Sequence, residues 1–222
     1  MKHTPAVLGL VLALAAGAGA ARAVDETKPY GLACAMIVDP KTNKEALPGG
    51  GIDAHSGHLL TVHLDANADG EAFVVALTRK EHRLAHGWRP EIVPLKEWSE
   101  MAVPAASGKW EWTKAEEAFD VFVVFFPRDS EAAAEARKLV VALREPGADE
   151  KTLATHARSL RDELRKWQQD DALLARQPVG GPASIAGSVR TVGDFPWRDF
   201  ARKANFDVNK PAVLVFPHAA GK

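Results

Sequence analysis

The sequence predicts an α+β fold: a mostly antiparallel β-sandwich-like domain with a two-helix hairpin inserted before the C-terminal strands. Three observations predict it. Up to about residue 128, short runs of β-branched and aromatic residues are separated by Gly, Pro, Asn and Asp clusters, the punctuation of strands and turns. From Ser130 to about Arg176 the apolar residues recur at three- and four-residue spacing instead. After Gln177-Pro178-Val179-Gly180-Gly181-Pro182 strand-like runs return, so the helices are expected to interrupt the sheet rather than form a domain of their own.

The elements follow in chain order. Residues 1–23 read as a secretory signal peptide: Lys2 and His3 open it, 6–16 is apolar, and Ala21-Arg22-Ala23 supplies the small residues of a cleavage site. The apolar run is shorter than the roughly 20 residues a membrane-spanning helix needs. A periplasmic or secreted location follows, with no integral membrane segment once the signal is removed. Residues 24–222 then form a single domain, with a β-rich part at 24–128, the helical hairpin at 129–177 and returning strands at 178–222.

Strands are expected near 31–38, 59–64, 72–78, 92–95, 109–113 and 121–126. In the second of these Leu60, Val62 and Leu64 share one face, while Thr61 and His63 share the other, so one face meets water. Phe122-Val123-Val124-Phe125-Phe126 is apolar on both faces, as a central strand covered on each side would be. Cys34 is the only cysteine, which rules out an intramolecular disulfide. Its alternate neighbours Leu32, Met36 and Val38 place it on an apolar strand face as a small hydrophobe.

Ser130 begins the first helix, whose stripe is Ala132, Ala136, Leu139, Val140 and Leu143, and Pro146-Gly147 stops it. Asp149 caps a second helix running to about Arg176 on the stripe Leu153, Ala157, Leu160, Leu164, Trp167 and Leu174. At 1.5 Å per residue it would be roughly 40 Å long. Two strands, 184–189 and 213–216, are expected to rejoin the sheet, with one or two helical turns within 197–206.

Composition narrows the function. Lys+Arg 28 against Asp+Glu 29 gives a net charge of -1, and removal of the signal segment leaves 26 basic and 29 acidic side chains. A nucleic-acid binder would show a basic excess, so that class is set aside.

Four segments carry a family resemblance. They are Gly57-His58-Leu59-Leu60-Thr61-Val62, the run from Asp69-Gly70-Glu71 through Ala72-Phe73-Val74-Val75-Ala76-Leu77, Met101-Ala102-Val103-Pro104, and Phe119-Asp120 continuing into Val121-Phe122-Val123-Val124-Phe125-Phe126. In that order they resemble a bacterial domain-of-unknown-function family often appended to caspase-like peptidases and Ser/Thr kinases. The resemblance covers about 75 residues and none of its motifs is catalytic. It implies a β-sandwich-like accessory or sensing module with no active site to carry across, and no peptidase or kinase pattern accompanies it here.

Three sets of residues are candidates for chemistry. Asp65, Asn67, Asp69 and Gly70 have the alternating oxygen ligands and sixth-position Gly of a calcium loop, but Ala76 stands where the bidentate Glu is needed. A polar hairpin turn is the plainer reading. His55, His58 and His63 lie near Asp53 and Asp65, and His82 with His86 are four apart, the spacing of two zinc ligands on a helix. The 78–90 stretch lacks a helical stripe, however, and on a strand four residues span about 13 Å, too far to share an ion. The third set is aromatic. Trp110 and Trp112 share a strand face, Trp88 and Trp98 bracket a Pro-rich connection, and Trp197 follows Phe195-Pro196. Such rings fill cores or make ligand platforms, and Trp110, Trp112 and Trp197 are the candidate platform.

Nucleophilic and phosphate-binding patterns are missing: no Gly-x-Ser-x-Gly elbow occurs, no Gly-rich loop ends in Lys-Ser or Lys-Thr, and Gly49-Gly50-Gly51 lacks the strand-to-helix setting of a dinucleotide fingerprint. The leading expectation is therefore an exported noncatalytic binding or accessory protein of the bacterial cell envelope, with a protein or glycan partner and no cofactor. One alternative is a metal-dependent hydrolase using the His-rich region 55–86, with His55, His58, His63, Asp65, Asn67 and Asp69 holding zinc or calcium. Another is a structural protein that assembles through its long helix.

Overall fold

β1 (Tyr30–Asp39) runs through the middle of one of two antiparallel sheets in the computed structural model, and it is buried from Tyr30 to Val38. A strand apolar on both faces can be stable only if each face is covered. The inner face of β1 meets the second sheet, and its outer face meets a short helical turn near the C-terminus. The structure describes residues 25–42, 44–46, 58–81, 83–85, 88–104, 110–111, 118–145, 147–168, 190–191, 197–207 and 210–218.

In the first sheet β1 pairs along its length with β3 (Leu59–Ala66). On its other side it pairs with β2 (Lys44–Ala46) at one end and with β10 (Arg202–Asn205) at the other. β3 is flanked in turn by β6 (Met101–Val103) and β7 (Trp110–Glu111), and β9 (Arg190–Thr191) adds to β2. The second sheet has the order β11-β8-β4-β5, from β11 (Ala212–His218), β8 (Phe119–Pro127), β4 (Gly70–Thr78) and β5 (Glu91–Leu95). Every pairing among the described residues is antiparallel.

Alternation sorts the side chains into layers. Ala33 and Ala35 of β1 and Leu60, Val62 and Leu64 of β3 face Ala72, Val74 and Ala76 of β4 and Val121, Val123 and Phe125 of β8 across the space between the sheets. The opposite face of the second sheet presents Phe73, Val75, Phe122, Val124 and Phe126. These rings and branched chains are covered by α1 (Glu131–Arg144) and α2 (Glu150–Gln168), through Ala133, Ala136, Leu139, Val140 and Leu143 of the first helix and Ala157, Leu160 and Leu164 of the second. α1 lies over β5 and β8 and α2 over β11. Ser130 caps α1 by accepting from the Ala133 amide, and Asp149 caps α2 by accepting from Thr152. Between the helices Gly147 takes φ +83, a conformation that glycine enters without steric cost.

The architecture is therefore the expected α+β sandwich with a helical hairpin ahead of the last strand. Several details differ from the sequence reading. Residues 67–69 do not form a hairpin turn, because β3 and β4 belong to different sheets, and this segment carries the chain from one to the other. The described part of α2 ends at Gln168, at about 28 Å, and 169–176 lies outside the described residues. The 184–189 strand and the 1–23 signal segment also lie outside them. Within 197–206 one 3₁₀ turn, Trp197–Phe200, is followed by strand β10 rather than by more helix. Its partner there is β1, whose free edge supplies backbone hydrogen bonds that a second helical turn would forgo. No described helix is long and apolar enough to cross a membrane.

Candidate functional site

The outer face of the first sheet carries His63 and Asp65, two of the polar residues that the sequence singles out. Register places Leu32 opposite Asp65, Cys34 opposite His63 and Met36 opposite Thr61, so all six share that face. The water-facing side expected for β3 is instead roofed by the 3₁₀ turn. Trp197, 5% exposed, packs on Tyr30, Leu32, Cys34 and Met36. Its ring centroid lies 5.6 Å from that of His63. Trp197 Nε1 donates to Glu100 Oε1 at 2.7 Å, and the same carboxylate oxygen lies 3.5 Å from His63 Nδ1.

Next to this roof the Arg198 guanidinium stacks over Trp197 and donates from Nε and Nη2 to Asp65 Oδ2 at 3.1 and 2.8 Å. Asp65 is buried, and its other oxygen accepts from the Ala66 amide. A buried carboxylate is stable only when its oxygens are matched this way. Here the match is a guanidinium, which stands where a bound cation would have to be.

The remaining oxygen donors of the calcium-like segment point at different targets. Asn67 Oδ1 accepts from the Tyr30 amide at 2.6 Å while its Nδ2 donates to Lys28 O. Asp69 Oδ1 accepts from the Glu97 amide at 3.0 Å. These residues tie the sheet-to-sheet crossover to the 25–30 segment and to the loop after β5. Among the described residues no group of three His, Cys, Asp or Glu side chains converges so as to hold a metal ion. His58 is buried, with Nε2 4.0 Å from Asp39, whose carboxyl is held below its ordinary value chiefly by the Thr42 hydroxyl and the Lys41 amide. His55, His82 and His86 lie outside the described residues.

The candidate platform is also relocated. Trp110 is buried and stacks on Trp88 at 5.6 Å, and Trp88 in turn meets Phe119 edge-on. Trp110 and Trp197 are thus packing residues, and Trp112 lies outside the described residues. Among the described residues the exposed tryptophan ring is that of Trp98, at 58%. Its φ is +56, which costs a bulky residue about 1–3 kcal/mol. The Trp98 amide donates to Ala66 O at 2.8 Å and the indole N–H to Glu97 Oε1 at 3.1 Å. Tyr30 meets the ring edge-on at 6.2 Å, and Lys203 Nζ lies 5.2 Å from the centre of the Tyr30 ring on its way to Glu26. A sequence signal for this exposure existed: Trp98 interrupts the polar run Lys96-Glu97-Trp98-Ser99-Glu100, where no apolar period would bury it.

Compared with known proteins, the chain matches no family model, no curated protein and no solved structure.

Proposed function

We propose that the protein is an exported, noncatalytic binding or accessory protein of the cell envelope, which meets its protein or glycan partner through the Trp98 end of the first sheet. One observation carries this reading: an exposed tryptophan is held in a left-handed backbone conformation by Ala66, Glu97 and Tyr30. The conformation costs energy, and the exposed ring returns little of it through burial. An amphipathic ring fixed in advance binds a sugar face or a protein pocket with little loss of side-chain freedom. Glu97, which accepts from the indole N–H, and Lys203, which lies over the neighbouring Tyr30 ring, supply charged groups beside it. The resemblance to accessory modules supports the same role. So does the chemistry next door, where Asp65 and Glu100 are occupied by Arg198 and Trp197 rather than poised for proton transfer.

The test is to place a photo-crosslinking benzophenone amino acid at position 98 in cells that make the protein, with position 141 as control. Val141 is 71% exposed on α1, away from the platform. A discrete adduct from position 98, found in the envelope fraction and missing from position 141, is the expected result. Equal labelling from both positions, or none from position 98, would overturn the proposal.

A further inference from the structure

Two sulfur atoms lie side by side beneath Trp197. Cys34 Sγ is 3.7 Å from Met36 Sδ, and both residues are almost completely buried. Two residues apart on one strand, they share the outer face of β1, and His63 stands directly opposite Cys34 on β3. Side chains paired in this way have Cβ atoms about 4.5–5.5 Å apart, within reach of a common ion. The face thus brings together a thiol, a thioether and an imidazole.

We infer that Cys34, Met36 and His63 form a binding site for a soft monovalent cation, copper(I). Thiolate and thioether ligands select copper(I) over harder ions, and imidazole completes such a site without adding charge. At a metal–sulfur distance of about 2.3 Å, a 3.7 Å sulfur–sulfur separation opens an angle of about 107°, which suits three- or four-coordinate geometry. Zinc is a poorer match, because a thioether is a weak ligand for it and its structural sites take four stronger donors.

The surroundings fit a metal-bound histidine. Ligating imidazoles commonly give their other N–H to a carboxylate, which fixes the tautomer. Glu100 Oε1 lies 3.5 Å from His63 Nδ1 and is itself held by Trp197 Nε1, which matches that pattern. On binding, the Cys34 thiol gives up its proton to solvent and the thiolate bonds the copper(I) ion, so the centre is neutral and can remain buried. The Trp197 roof keeps water from the ion.

The test uses the full chain, titrated without oxygen with copper(I) against the colorimetric chelator bicinchoninate, with X-ray absorption of the loaded protein. One copper(I) per chain, held by two sulfurs and one nitrogen, is expected. Met36→Leu preserves size and apolarity, so it should melt like the parent while losing at least tenfold in affinity, and His63→Gln should lose 10–100-fold. Failure to hold copper(I) against the chelator, a spectrum with a single sulfur, or a Met36→Leu variant that binds as tightly as the parent would each overturn the inference. Met36→Leu is preferred to Cys34→Ser, since a buried hydroxyl in place of the thiol can itself disturb folding.

Discussion

The Asp65–Arg198 pair is asymmetric: the Asp65 side chain is 1% exposed and that of Arg198 is 52% exposed. Removing either partner therefore leaves a different problem behind. Arg198→Met leaves a carboxylate in the interior with only the Ala66 amide for company, and a loss of about 2–3 kcal/mol is expected once solvent access to Arg198 is allowed for. Asp65→Asn leaves a guanidinium that still reaches Glu100 and water, and about 1 kcal/mol is expected. Urea unfolding of both variants checks this, and equal losses would show that the pair is not the buried anchor described. His218 supplies a pH dependence. It is buried against Phe119, and burial, aided by the charge of Arg79, pushes its pKa down to about 4 from an ordinary 6.5. Below pH 6.5 the unfolded chain takes up a proton that the folded chain refuses, so stability falls as pH drops and levels off below about 4. Between pH 7 and pH 5 the loss is about 2 kcal/mol. His218→Phe should abolish that part of the pH profile in urea melts, while leaving the steeper carboxylate-driven loss at lower pH. Neither residue's role was legible in the sequence: Asp65 reads there as a calcium ligand, and no spacing or motif singles out His218 until its neighbours are known.

At the scale of elements, strand and helix periodicities carried most of the information. The helical stripe of α1 is almost the set expected from spacing, with Ala133 buried more deeply than Ala132, and Ser130 caps it as its residue type foretells. The double-sided apolarity of β8 likewise foretold a strand between two layers. The sheet-to-sheet path of 67–69 was not legible, because Asn, Asp and Gly suit a hairpin turn and a crossover equally well. Close approach of elements is also invisible to periodicity. Gly31 of β1 faces Phe125 of β8, and a Cβ there would meet the ring at 2.3 Å. Gly31→Ala must therefore displace a ring in the tightest part of the interior, with an expected cost of about 1–3 kcal/mol. Ser130→Ala, which only removes a cap, should cost about 1 kcal/mol. Thermal or urea melts of the two variants should rank them in that order.

For the whole molecule, four layers succeed one another: the 3₁₀ turn with Trp197, the first sheet, the second sheet and the helix pair. Protection should follow this layering. Native-state hydrogen exchange is expected to be slowest in β4 and β8, covered on both faces, and in the part of β1 flanked by neighbours on both edges. The short outer strands β2, β6 and β7 should exchange fastest among the strands, and comparable protection there would contradict the layered core. The sequence by itself determined the fold class, the helical hairpin, and the covered character of β8. These depend on the period of apolar residues along the chain, and that period is a local property. Only the tertiary structure decided that β3 and β4 lie in different sheets, that Trp110 and Trp197 are buried while Trp98 is exposed, and that Cys34, Met36 and His63 meet under one roof. The physical reason is that pairing register and the packing of one layer on another join residues far apart in sequence. Which polar residue meets which partner, and which ring is left to solvent, is fixed only when those layers close.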